Sequence, residues 1–281
     1  MTVTALVLMV ASAVAHAAWN YIAKRRQGGP IFLWVFNGVS VAVYAPLAAA
    51  LVVLQRPALG WAAIGFMAGS AALHLAYFVL LLRGYAAGDL SLVYPVARST
   101  GPLLATAGGM IFLAERPSSV ALAGVLLIVG GGLVTSSERR PGSLPAVVYA
   151  LLTGVFIAAY TIWDKQAVSG LGVPPLVYLW GMDLGRLLLL SPWVLPRRAE
   201  ALATWRTHRR EVVAVGILSP LAYLLVLTAL SIAPVYLVAG RELGPLIGTV
   251  MGIRLLAEGG ARRRVPAAVA MVIGIGLLAA G

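Results

Sequence analysis

Gly101-Pro102-Leu103-Leu104-Ala105-Thr106-Ala107-Gly108-Gly109-Met110-Ile111-Phe112-Leu113-Ala114-Glu115 returns later in the chain as Gly244-Pro245-Leu246-Ile247-Gly248-Thr249-Val250-Met251-Gly252-Ile253-Arg254-Leu255-Leu256-Ala257-Glu258. The copies agree at Gly101/Gly244, Pro102/Pro245, Thr106/Thr249, Gly109/Gly252 and Glu115/Glu258, at a constant offset of 143. Upstream, Arg98 answers Arg241, and Leu75-Ala76-Tyr77 answers Leu221-Ala222-Tyr223. Further back, Ala18-Trp19-Asn20-Tyr21-Ile22-Ala23-Lys24 is echoed by Ala159-Tyr160-Thr161-Ile162-Trp163-Asp164-Lys165, Pro46 by Pro192, and Asn37 by Asp183. Apolar helices resemble one another by composition, but ordered matches of Arg, Glu and Lys do not arise that way. The chain therefore reads as a duplication, 1–140 and 141–281, joined at a polar stretch around 136–143.

The repeated unit is a membrane unit. Of 281 residues, 61% are hydrophobic and 11% charged, which excludes an ordinary soluble domain. Long uncharged runs fall at about 3–23, 31–54, 60–82, 90–114, 118–136, 144–163, 174–195, 212–231, 235–257 and 265–280. The expected fold is an all-α integral membrane protein of ten transmembrane helices, five in each repeat. Five is odd, so the second repeat must be inverted relative to the first. Such pairs build a site near the bilayer midplane where the halves meet.

The net charge of +12 does not point to nucleic acid, because the basic residues gather in the gaps between apolar runs. The odd-numbered connections hold fourteen Lys and Arg, and the even ones hold Arg56, Arg116 and Lys165. That asymmetry predicts a multi-pass protein of a bacterial-type inner membrane, with odd loops cytoplasmic and both termini outside. Ala15-His16-Ala17 offers a small-residue cleavage pattern. The first apolar run lacks a basic segment before it and has a counterpart later, so it is read as a span.

Ionisable residues inside spans cost about 2.5–3.5 kcal/mol each on insertion scales, so each needs a partner or a role. Those singled out are Arg98, Asp183, Arg186, Arg241 and Glu242. Asp183 and Arg186 stand three apart on one helix face and are expected to pair. An anionic ligand could open that pair by taking the arginine and freeing Asp183 to accept a proton; Asp183 or Glu242 is the expected proton-sensitive partner of an arginine. Arg98 lies about nine residues into its helix, roughly 13 Å by helical rise, too deep to escape to an interface. Arg98 and Arg241 each precede a Gly-Pro by three residues, and Gly101-Pro102 and Gly244-Pro245 are read as helix hinges. If both guanidiniums face the centre, they suit a carboxylate, phosphate or phosphonate. The bland alternative has Arg241 satisfied by its neighbour Glu242 or by carbonyls near the Pro, and Arg98 snorkelling to an interface. His16 and Asn20 share a face of the first helix, beside Trp19. With Tyr77, Tyr94, Tyr160 and Trp163, they are the candidate cavity lining. Trp and Tyr also occur as interfacial belt residues, and Asn37 and His74 as helix-helix hydrogen bonds. The glycine patterns in the fifth and tenth spans read as packing faces.

Taken together, the Lys24 ending of the first helix, the two Gly-Pro openings and the small-residue helices running into Glu115 and Glu258 resemble the drug/metabolite transporter superfamily, within it the EamA-type carriers. The resemblance covers essentially the whole chain. It implies ten helices in two inverted five-helix repeats and a secondary carrier working by alternating access, with export favoured over import. His16-Ala17-Ala18-Trp19-Asn20 followed by Lys24-Arg25 is similar to a subgroup of these carriers, some associated with phosphonate use. After Glu258 the sequence departs from the pattern, with Gly259-Gly260 and Arg262-Arg263-Arg264.

Other classes find little support. There is no nucleotide-binding P-loop, no His-Glu-x-x-His and no Gly-x-Ser-x-Gly. With no cysteine and three histidines, no metal centre and no cofactor are expected. The sequence predicts a non-enzymatic carrier for a small anionic or zwitterionic solute such as an amino acid, organic acid or phosphonate-like metabolite. It would be coupled to protons or to exchange, in a lipid bilayer, as a monomer or homodimer. The rivals are a flippase for a lipid-linked intermediate and a scaffold subunit without transport.

Overall fold

The structure is a computed structural model describing residues 3–24, 29–88, 90–136, 143–242 and 261–281. Nine α-helices lie among the described residues, which contain no strand: α1 (Val3–Lys24), α2 (Pro30–Gln55), α3 (Trp61–Ala87), α4 (Leu90–Phe112), α5 (Ser119–Ser136), α6 (Leu144–Lys165), α7 (Pro175–Val194), α8 (Arg198–Ile232) and α9 (Ala261–Ala280). A π-helical turn, Gln166–Gly170, continues α6, and a 3-10 segment, Val235–Glu242, follows α8.

Local sequence explains most helix ends. Pro30 occupies the first turn of α2, where its missing N–H costs nothing. Ser143 caps α6 by accepting a bond from the Ala146 N–H, while its own hydroxyl donates to the Ala87 carbonyl at 2.7 Å. The α8 helix stops at Ala233, which is extended (φ −147°, ψ 157°) because Pro234 disfavours helical geometry in the residue before it.

Four helical stretches, Pro30–Gln55, Trp61–Ala87, Leu144–Gly170 and Pro175–Ile232, are long and apolar enough to cross a membrane. Val3–Trp19, Ser119–Val134 and Val269–Ala280 are shorter apolar helices. The molecule is apolar outside: Ile111, Phe112, Leu126 and Leu188 are exposed, whereas Asn37, Ser70, Arg98, Asp164, Asp183 and Arg241 are buried. Burial of polar groups beneath an apolar surface is the reverse of a water-soluble core. The chain is thus an all-helical, membrane-embedded protein.

Packing pairs α1 with α8 and α3 with α6, α2 with α8 and α3 with α7, α2 with α7, and α5 with α9. The 3-10 segment packs on α4 and α1, and α4 on α6. Glycines permit the closest approach: a Cβ on Gly124 would lie 2.6 Å from the Gly274 carbonyl oxygen.

Several expected boundaries need correction. The eighth helix starts at Arg198 rather than near residue 212, and changes direction at His208, which has non-helical angles (φ −126°, ψ 25°). Residues 198–211 contain Ala, Glu and Arg, good helix formers without the apolarity that marks a span. For the same reason α3 runs on to Ala87 and carries Arg83 within it. Lys165, counted above as a loop cation, ends α6 and donates to the carbonyls of Leu230 (2.7 Å) and Ala233 (2.9 Å). Val235–Glu242 is 3-10 rather than α.

Candidate functional site

The interior carries three polar clusters. The first is built around Arg98, which α4 delivers to the centre and which is 7% exposed. Pro102 has no N–H, so the Arg98 carbonyl also lacks its helical donor. Arg98 Nη2 lies 2.8 Å from Glu242 Oε1 on the 3-10 segment. The contact is an ion pair by distance, off the line of a good hydrogen bond, and the Arg98 Nε and Nη2 donors have no hydrogen-bond partner. Arg241, also 7% exposed, has its Nε unpartnered and its guanidinium 5.6 Å above the Tyr223 ring. Among the described residues, two cations and one carboxylate leave this cluster with an excess positive charge.

His16 on α1, Tyr77 on α3, Tyr94 on α4 and Tyr160 on α6 all stand within the electrostatic reach of both guanidiniums. Tyr160 is stacked on His74 (4.0 Å between ring centroids) and meets Tyr77 and Tyr223 edge-on. The result is a buried, aromatic-walled cluster in which the Arg98 Nε and Nη2 and the Arg241 Nε have no hydrogen-bond partner, a donor set that suits an anion.

Glu242 pairs with Arg98 rather than with its neighbour Arg241, because adjacent residues on a helical segment do not face each other. Trp19 donates to His16 Nδ1 at 3.2 Å and packs against the apolar cluster that includes Phe32 and Phe36. Trp163 is not in the arginine cluster. It is 38% exposed, bonds the Phe66 carbonyl through Nε1 at 2.8 Å, and rests on the Phe66 ring. Gly101 sits where α4 approaches α6, with Ile157 occupying the space of a Cβ, and α4 runs without a break across Gly101-Pro102. Gly244 and Pro245 lie outside the described residues, as does the Asn20 side chain.

The second cluster is the pair anticipated on the seventh helix. Asp183 accepts from Arg186 and, in addition, from the Ser40 hydroxyl of α2. Close by on α2, the fully buried Asn37 amide has no hydrogen-bond partner at either atom.

Asp164 forms the third, and sequence reasoning passed over it. It is fully buried; Tyr178 donates to Oδ1 at 2.7 Å and Tyr223 donates to Oδ2. Ser70 faces the same carboxyl. Position beside Lys165 at the end of an apolar run makes Asp164 look interfacial in sequence. The only signal was its place in the echo of the first helix. Glu115 was likewise read only as a repeat marker; both its oxygens accept from the Val235 N–H (2.8 and 3.0 Å) at the start of the 3-10 segment. Among the described residues, no three His, Asp or Glu side chains gather as metal ligands.

The sequence matches no protein-family model and no curated protein. The fold is similar to that of a crystal structure described only as that of a protein, with a TM-score of 0.73, 97% of this chain and 95% of that chain covered, and 17% identity. At that identity the likeness is one of fold.

Proposed function

We propose that the chain is a secondary carrier that moves a small organic anion or zwitterion across an inner, plasma-type membrane by alternating access, resembling the EamA-type drug/metabolite transporters. Arg98 and Arg241 hold the anionic group, and Glu242 gives up Arg98 when that group arrives. The observation carrying this reading is the pair of buried guanidiniums, at repeat-related positions, with donors left unpartnered. A buried, uncompensated charge is expensive, and an anionic solute satisfies it. His16, Tyr77, Tyr94, Tyr160 and Tyr223 shape the space around that group.

In this reading the chain has ten spans in two inverted five-helix repeats, and the packing supports a two-fold relation between the halves. Exchanging the first and second halves turns the α1–α8 contact into α6–α3 and the α2–α8 contact into α7–α3, while α2–α7 and α5–α9 map onto themselves. A two-fold relation between the halves produces that pattern. Transport is coupled to protons or to exchange, with export favoured.

Thermal unfolding of the purified protein with acetate, amino acids, methylphosphonate and sugar phosphates tests the site. Stabilisation by one anion class, abolished in both Arg98→Ala and Arg241→Ala, is the expected result. Stabilisation that survives both substitutions contradicts it.

A further inference from the structure

The Asp164 carboxyl is fully buried, and its partners are hydroxyl groups rather than a cation. Tyr178 Oη lies 2.7 Å from Asp164 Oδ1 and 3.1 Å from the Phe66 carbonyl oxygen. A phenol has one proton and both neighbours are acceptors; because the Phe66 carbonyl already accepts from Trp163 Nε1 at 2.8 Å, that proton is free to sit on Asp164 or to turn to Phe66. A proton on Oδ1 is accommodated by the same partners: Oδ1–H donates to Tyr178 Oη, Tyr178 turns its hydrogen to Phe66, and Tyr223 still donates to Oδ2. The charges nearby do not supply an alternative. No Lys, Arg or His among the described residues forms a salt bridge with Asp164, in contrast to Asp183 and Glu242. Lys165, next in sequence, spends its ammonium on the α8 carbonyls. Arg186 on α7 is held by Asp183, and His74 on α3 bonds the Ser70 carbonyl through Nδ1 at 2.9 Å. Tyr160 on α6 and Arg241 on the 3-10 segment complete the surroundings, both against Tyr223. An ionised carboxylate fully removed from water without a cation costs several kcal/mol.

We infer that Asp164 is a proton-binding site, holding one exchangeable proton in a chain Asp164–Tyr178–Phe66. Binding forms the O–H bond at Oδ1 from a solvent proton and swings the phenol hydrogen from Asp164 to Phe66; release reverses both and returns the proton to water. Tyr223 connects this site to the arginine cluster, with its hydroxyl on Asp164 and its ring under Arg241. An ionised Asp164 sets a negative charge behind Arg241 and opposes an incoming anion, and a protonated one does not. Proton and anion therefore bind together, and the coupling group is Asp164 rather than Asp183 or Glu242. This coupling role rests on the carrier reading; the proton site itself does not.

Dicyclohexylcarbodiimide, which adds to protonated carboxyls in apolar surroundings, tests the site on the unaltered protein with peptide mapping by mass spectrometry. Asp164 is expected to react at neutral pH, with reaction falling several-fold as pH rises. No reaction at Asp164 at any pH overturns the proposal, whichever other carboxyls react. In infrared spectra, the C=O band of a protonated carboxyl should vanish in Asp164→Asn and remain in Asp183→Asn. Its persistence in a folded Asp164→Asn protein overturns the assignment. If Asp164 reacts but methylphosphonate and the other anions do not bind, the proton site stands and the carrier reading falls. If anions bind and Asp164 never reacts, the reverse holds.

Discussion

Asp183, 1% exposed, accepts from two elements at once, Arg186 on its own helix and Ser40 on α2. Removing it as Asp183→Ala strands the Arg186 guanidinium in the interior, a loss of about 3–5 kcal/mol. Ser40→Ala removes one bond to a charged group and costs about 1.5–3 kcal/mol. The double variant Asp183→Ala/Arg186→Ala leaves no lone ion, so it should recover part of the single-variant loss. Thermal or denaturant unfolding in detergent checks the series, and a double variant less stable than Asp183→Ala contradicts it. This pair was legible in sequence because two ions three residues apart in an apolar run share a helix face. Arg98 was legible as a buried cation, but its partner was not. Glu242 lies 144 positions away, and only the meeting of α4 with the 3-10 segment brings it within reach. Asp164 was illegible for a different reason: its hydroxyl partners come from α7 and α8, and tyrosines in apolar runs carry no mark of what they bond.

At the scale of elements, α5 and α9 meet at Gly124 and Gly274, with each glycine pressed on the other's backbone carbonyl. Backbone cannot yield as a side chain can, so Gly124→Leu should separate the helices and cost about 1–3 kcal/mol. Gly130, on the same helix, has open space where a Cβ would stand, and Gly130→Ala should be neutral or slightly stabilising. Unfolding measurements on the two variants distinguish this contact from a general intolerance of α5; equal losses contradict it. The glycine pattern announced such a face in sequence without naming what lay across it. Helix ends were less readable. The span rule measures apolarity, so it missed the polar first turns of α8. It also could not foresee that Lys165 and Glu115 tie opposite sides of the Pro234 break, one at the end of α8 and the other at the start of the 3-10 segment.

Across the described residues, many large apolar side chains face outward, while Arg98, Asp164, Asp183, Arg241 and Glu242 are buried. That an apolar chain buries such groups was readable from composition, and the sequence echo at an offset of 143 pairs Arg98 with Arg241. What the two arginines do depends on access. The chain has no cysteine, so Tyr94→Cys places a single thiol beside Arg98 without removing any native one. Labelling it in oriented proteoliposomes with a membrane-impermeant maleimide, from each side in turn, tests alternating access directly. The thiol should react from both sides, and an anion that stabilises the protein should slow both reactions. Reaction from one side alone, or from neither, contradicts a carrier built around these two arginines.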